Sequence, residues 1–227
     1  MKKIILSIII LFSLDFHAIS HVKHYDNFNY LEYELFRNNQ SIGYHKYDFL
    51  RKNNTLSINS EVSFKITKLG VDLYKYFATS TEVYKNGEFY KFYSKTNQNK
   101  KEKYVKINFD VQDNDLVIDG SSYKGNADKE TIVGTWWNHE IVKAKAQISA
   151  ISGRIIDQKV TFIGKEKIKI GSKTFDTLRF NFKSADETLP DDKKLNTDIW
   201  YEENSYLWVK AAFDKTGYWE YRLKTVK

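Results

Sequence analysis

The plainest chemical group in this sequence is an imidazole set in a strand. His45 lies within Ile42-Gly43-Tyr44-His45-Lys46-Tyr47-Asp48-Phe49, where alternation places Gly43, His45, Tyr47 and Phe49 on one face and Lys46 and Asp48 on the other. A glycine inside a strand marks a bulge or a close approach by another group. An inward histidine beside it has two readings, a ligand contact or acid/base group and a hydrogen-bonded structural imidazole. A second cluster is Trp136-Trp137-Asn138-His139-Glu140, in which two indoles offer apolar area and Asn138 a directional hydrogen bond. These residues could close one end of a ligand cavity or simply plug a core. His139-Glu140 is not a metalloprotease helix, because Lys143 stands where a second histidine would be required.

The third cluster pairs Asp198-Ile199-Trp200-Tyr201 with Leu207-Trp208-Val209-Lys210 across the turn residues Glu203-Asn204-Ser205. Such a hairpin brings the two tryptophans together and is expected to set Asp198 near Lys210. At the amino terminus, cleavage before His21 would offer an α-amino group and an imidazole to copper, with His24 nearby, against the simpler reading of an untethered tail. The chain has no cysteine, which excludes thiolate metal sites, redox pairs, a thiol nucleophile and a lipobox anchor. Gly-x-Ser-x-Gly, Walker and Rossmann patterns are missing, and no Ser–His–Asp constellation stands out. No catalytic residue, metal ligand or cofactor is therefore assigned.

The elements that must hold these groups are strands. Leu31, Tyr33 and Leu35 alternate with Glu32 and Glu34, and Arg37 to Gln40 then turns the chain. From Leu56 to Ile66 five large apolar residues share one face, which fixes the register because a one-residue slip would expose them all. Asn86-Gly87 is the dipeptide that best fills both positive-φ positions of a tight hairpin turn. Similar runs follow to Ile118 and resume from Gln158, with turns expected at Gly164, Gly171-Ser172, Glu203-Asn204 and Lys215 to Gly217. Between them Thr135 to Ile148 lacks alternation and reads as one short helix or crossover. About a dozen strands in one chain must curl. The fold class is all-β, a large curved antiparallel sheet closing into a barrel or half-barrel.

Met1-Lys2-Lys3, the apolar run Ile4 to Leu14 and Ala18-Ile19-Ser20 have the form of a signal peptide, giving a leader over 1–20 and a single β domain over 21–227. The expected location is periplasmic or secreted, with no transmembrane segment once the leader is removed. The formal charge of +7 is spread over alternate strand positions, as at Lys165, Lys167 and Lys169, the pattern of a solvated sheet face. Nucleic acid is not an expected partner.

Tyr33-Glu34-Leu35, Ile42-Gly43-Tyr44-His45, Leu69 to Tyr74, Trp137-Asn138, Asp198 to Tyr201 and Trp208-Val209-Lys210 occur in an order that resembles an uncharacterised family of exported bacterial β-proteins of unknown function. The likeness runs from about Phe28 to Leu223 and is similar in outline to lipoprotein-carrier half-barrels. It implies the fold and export and carries no catalytic residue. The resulting expectation is a non-catalytic binding or carrier protein for a hydrophobic small molecule or lipid, held by His45, Tyr47, Trp137, Asn138, Trp200 and Trp208. The alternatives are a periplasmic hydrolase or isomerase using His45, and a structural envelope protein.

Overall fold

Alternation builds the first half of the chain into an uninterrupted meander: β1 (Tyr30–Arg37), β2 (Gln40–Lys52), β3 (Thr55–Lys68), β4 (Val71–Lys85), β5 (Glu88–Gln98), β6 (Lys101–Asp110), β7 (Asp115–Gly120) and β8 (Lys124–Asp128). The computed structural model describes residues 25–227, so the leader and the His21/His24 copper reading lie outside the described residues. Asn86 and Gly87 sit at φ 52° and 86°, both left-handed, as the β4–β5 turn requires. The Leu56, Ile58, Val62 face of β3 points inward, as its register demands.

The second half runs β9 (Ile132–Val133), a four-residue 3-10 turn (His139–Val142), β10 (Ala146–Ile148), β11 (Ile155–Ile170), β12 (Lys173–Ser184), β13 (Asn196–Glu202), β14 (Trp208–Asp214) and β15 (Tyr218–Val226). The expected short helix is thus one 3-10 turn in a crossover. Gly164 was expected to be a turn and is instead a bulge. It lies at φ 153° within β11, and the pairing with β12 slips between Phe162 and Gly164 without breaking. Gln158 to Ile170 is therefore one strand.

All fifteen strands form one sheet in the order β8 to β1, then β15 back to β9, so that the first and last long strands, β1 and β15, pair at its centre. The sheet curls until its two ends meet but does not close through a ladder. At the seam, Ser122 donates its backbone N–H to the Ser152 carbonyl at 2.8 Å, and Ser94 Oγ donates to the Ala150 carbonyl at 2.6 Å. Gly120 is needed there, because a Cβ on it would lie 2.6 Å from the Ser152 carbonyl oxygen.

Two buried clusters share this curved face. The larger is built from β1 to β4, β12 to β15 and the crossover, and includes Tyr33, Tyr47, Phe49, Trp137 and Trp208. The smaller lies under the seam and includes Phe92, Ile107, Ile118, Val133 and Ile148. Tyr25, ahead of β1, is not part of a loose tail. Its ring stacks on Phe49 at 5.4 Å and meets Trp137 edge-on at the same centroid distance, while its hydroxyl accepts from the Trp208 backbone N–H at 3.1 Å.

Candidate functional site

Strand register stacks the concave face in layers. The floor is filled with rings: Tyr25, Phe49 and Tyr84 each meet Trp137 edge-on at 5.4 to 5.8 Å. One step along β2 lies the middle layer, where Tyr47 stacks under His45 at 4.3 Å and Tyr33 stacks on Trp208 at 4.0 Å. Above it, Phe64 and Tyr76 stack at 4.8 Å and Trp219 meets Phe64 edge-on at 5.3 Å. This upper layer stays partly accessible. His45 therefore sits where the fully buried floor gives way to a partly accessible aromatic layer.

Four aromatic rings surround the imidazole of His45, and Val62 stands opposite it on β3. Tyr47, Tyr221, Trp208 and Tyr33 surround the imidazole at ring-centroid distances of 4.3, 6.0, 6.2 and 6.4 Å. Part of the residue remains accessible, yet both ring nitrogens are shielded from water and neither has a hydrogen-bond partner. Burial pushes its pKa down to about 3, so the ring is neutral at physiological pH. The neighbouring Trp208 Nε1 is likewise shielded and unpartnered. A buried polar group without a partner costs about 1 to 3 kcal/mol. Two of them side by side give the layer an unspent donor on Trp208 and, on a neutral imidazole, one donor and one acceptor.

Gly43 does not leave a gap beside His45. A Cβ there would lie 2.0 Å from the Ser63 carbonyl oxygen and 2.6 Å from Phe64 Cα, so the β3 backbone fills that space. The pairing of β1 with β2 slips between Leu35 and Phe36, opposite this glycine, which makes the position a bulge as well as a close approach.

The crossover supplies the fourth wall. Trp136 adopts φ 60°, a left-handed conformation that costs a bulky side chain about 1 to 3 kcal/mol. Hydroxyls on either side pin it: Tyr47 donates to the Thr135 carbonyl at 2.7 Å and Tyr201 to the Trp136 carbonyl at 2.9 Å. The strained turn aims the Trp136 ring edge-on at Trp208 and Tyr221, at 5.5 and 5.6 Å. Trp137 is sent the other way, into the floor, where Nε1 donates to Glu82 Oε2 at 2.9 Å.

Glu82, from the inward face of β4, is buried and also accepts from Tyr84 at 2.6 Å and from Thr135 Oγ1 at 3.2 Å. Burial raises its pKa, and the three donors oppose that rise. Neutral or ionised, it bolts the crossover to β4.

Of the residues proposed from sequence, the structure brings His45, Tyr47 and Trp208 together on the concave face. Trp137 lies beneath them in the floor. Asn138 is buried beside it, its side chain capping the 3-10 turn through the Glu140 N–H at 3.1 Å. Trp200 is on the opposite face. It pairs with Lys210, its ring lies 4.9 Å from both the Lys210 ammonium and the Arg179 guanidinium, and its indole N–H donates to Glu166. The hairpin across 203–205 forms, but Asp198 pairs with Arg179 at 2.5 Å and Lys210 with Glu220 at 2.6 Å, correcting the expected Asp198–Lys210 contact. Asp198 stands opposite Ala212 in the ladder, two residues from Lys210.

Sequence reasoning missed Glu82, Tyr221 and the outward turn of Trp136 relative to Trp137. Glu82 had a signal, since it shares parity with Tyr76 and Tyr84 along β4 and so must point inward. A groove of about 510 Å³ lies away from the imidazole, between Ile170 and Phe175 at the β11–β12 tip and Glu34, Arg222 and Lys224 of the central strands. Among the described residues no group of three or more His, Asp or Glu side chains converges to hold a metal ion. No described helix is long and apolar enough to cross a membrane.

Fold and site together define an all-β protein whose single curled sheet presents an aromatic concave face. The chain belongs to the family described as "Domain of unknown function (DUF6134)", whose model matches residues 33–224. It is similar in fold to the crystal structure of a beta-barrel-like protein of domain of unknown function DUF1849 from Brucella abortus, with a TM-score of 0.59 and 10% identity over 87% of this chain and 96% of that one. At that identity the likeness concerns the fold alone. A DUF1329 family protein from Desulfovibrio piger aligns over 91% of this chain and 89% of its own at 8% identity, but its TM-score of 0.20 is too low to bear on the fold. No curated protein matches the chain.

Proposed function

We propose that this is an exported binding or carrier protein that holds an apolar or amphiphilic molecule against its partly accessible aromatic layer, with an uncharged polar group of the ligand against His45 and Trp208. The observation that carries this reading is the pair of shielded, unpartnered polar side chains, His45 and Trp208, in an aromatic layer at the edge of the packed core. Such groups reduce stability when left alone and bind when offered a partner. The aromatic rings of Phe64, Tyr76, Trp136 and Trp219 supply area for the apolar part. The group is an uncharged hydrogen-bonding one because the free donors and acceptor here are those of a neutral imidazole and an indole, and an anion would lose its hydration against the negative faces of the surrounding rings.

A catalytic use of His45 is not favoured. A base with a pKa of about 3 takes no proton at neutral pH, and no carboxylate orients the ring.

The reading is tested by titrating the protein with 1-monolauroylglycerol while following tryptophan fluorescence. Saturable binding of one molecule is expected, with affinity about tenfold lower in His45→Phe, in line with loss of one buried hydrogen bond. Laurate, whose carboxylate meets only ring faces and the free donors, should bind far less well. Absence of saturation, or equal affinity in the variant, would remove the basis for the proposal.

A further inference from the structure

We propose that the tip of the β3–β4 hairpin is an anchor for an anionic phospholipid surface, separate from the ligand layer. The hairpin joins two long strands of 14 and 15 residues, and its turn is Leu69-Gly70. Leu69 is 96% exposed, Val71 61% and Leu73 55%, with Leu73 in a bulge of the ladder and Phe77, at 47%, further along β4. Single exposed apolar residues need no explanation, but three within five positions at a projecting turn form a patch.

The turn chemistry sharpens the point. Leu69 holds φ 50° and Gly70 φ 78°, the pair of left-handed positions that Asn86-Gly87 fills at the β4–β5 turn. A leucine there breaks the local rule and gains no burial in return.

The tip is also basic. Lys65, Lys68 and Lys75 flank the leucines, and the neighbouring β5–β6 turn, joined by the Asn99 N–H to the Lys75 carbonyl at 2.8 Å, adds Lys100 and Lys101. Two acids stand among them. Asp72 is held by Lys75 at 3.0 Å and by Thr67 Oγ1 at 2.8 Å, and Glu102 accepts from Asn97. Apolar side chains at an apex ringed by lysines match a bilayer whose surface is negative and whose interior is apolar. On the inner side of the same hairpin, Tyr74 stacks toward Phe64 at 6.0 Å, so the apex continues into the lip of the bowl. A protein docked this way brings its partly accessible aromatic layer toward the membrane.

The test uses the full chain, expressed with its leader and purified after export, in co-sedimentation with vesicles of phosphatidylglycerol and phosphatidylcholine and with vesicles of phosphatidylcholine alone. Binding to the anionic vesicles is expected, at least tenfold stronger than to the neutral ones and weakening as salt is raised. Leu69→Asn should reduce it about tenfold, the loss for one leucine that no longer enters the apolar layer. That variant suits the turn better than the natural residue, so its melting temperature should not fall, which separates lost binding from lost folding. Lys68→Glu with Lys100→Glu should reduce binding further. Failure to bind, equal binding to both vesicle types, or equal binding by Leu69→Asn would overturn the proposal. So would a dimer without vesicles that Leu69→Asn dissociates, because a second copy would then cover the patch. Loss of monolauroylglycerol binding in His45→Phe with vesicle binding intact would leave this proposal standing.

Discussion

Replacing Glu82 with alanine is expected to destabilise the fold by on the order of 4 kcal/mol. Three donors converge on its carboxylate, the Trp137 indole and the Tyr84 and Thr135 hydroxyls, and all three would be left in a buried layer that water does not reach. Trp137 would lose the contact that seats it in the floor, and the crossover would lose its link to β4. Glu82→Gln should cost only about 1 kcal/mol, because the amide oxygen still accepts while its NH2 must find a partner of its own. The two variants also predict a pH effect. The folded pKa of Glu82 lies above the ordinary carboxylate value of 4.5, so the stability it contributes is full below that value and declines as pH rises through the folded pKa. Urea denaturation should therefore show Glu82→Gln gaining on the wild type as pH increases above 4.5. A difference that stays flat, or runs the other way, would mean that the carboxylate is ionised without penalty.

Gly43→Ala should cost about 3 kcal/mol, although it adds a single methyl group. The obstruction is backbone: the Ser63 carbonyl oxygen lies 2.0 Å from the new carbon, and a carbonyl within a paired ladder cannot rotate aside as a side chain would. Relief would require separating β2 from β3 at the bulge next to His45, so the variant should also disturb the imidazole. The measurement is the urea midpoint together with the His45 ring proton shifts. A midpoint within about 0.5 kcal/mol of the wild type would show that the two strands are not in this close contact.

The strands were legible because one face of each is buried and period two leaves no choice of register. Leu56 to Ile66 and Leu31 to Leu35 show their inward faces from sequence alone. The Asn86-Gly87 turn and the Gly43 bulge follow from backbone freedom that only certain residues possess. Short strands did not announce themselves: β9 has two residues and β10 three, too few for alternation to register. Gly164 read as a turn because a positive φ serves a bulge equally well.

The candidate site was legible in part. His45 and Tyr47 share parity on β2, and Trp208 follows them onto the concave face. Trp200 could have been placed correctly, since Ile199 and Tyr201 have the apolar parity of β13 and Trp200 goes with Asp198. The roles of Trp136 and Trp137 were beyond periodicity. They are set by one left-handed residue held between the hydroxyls of Tyr47 and Tyr201, and these contacts join residues far apart in sequence.

The His45 imidazole and the Trp208 indole have no partner within the fold, and the proposed ligand would supply one. Native mass spectrometry of the protein purified from cells that express the full sequence, with wild type beside His45→Phe, examines this most directly. A single adduct of small-molecule mass is predicted on the wild type and should be lost from a variant that folds at least as stably. A bare wild-type chain in repeated preparations, or an adduct carried equally by His45→Phe, would contradict it.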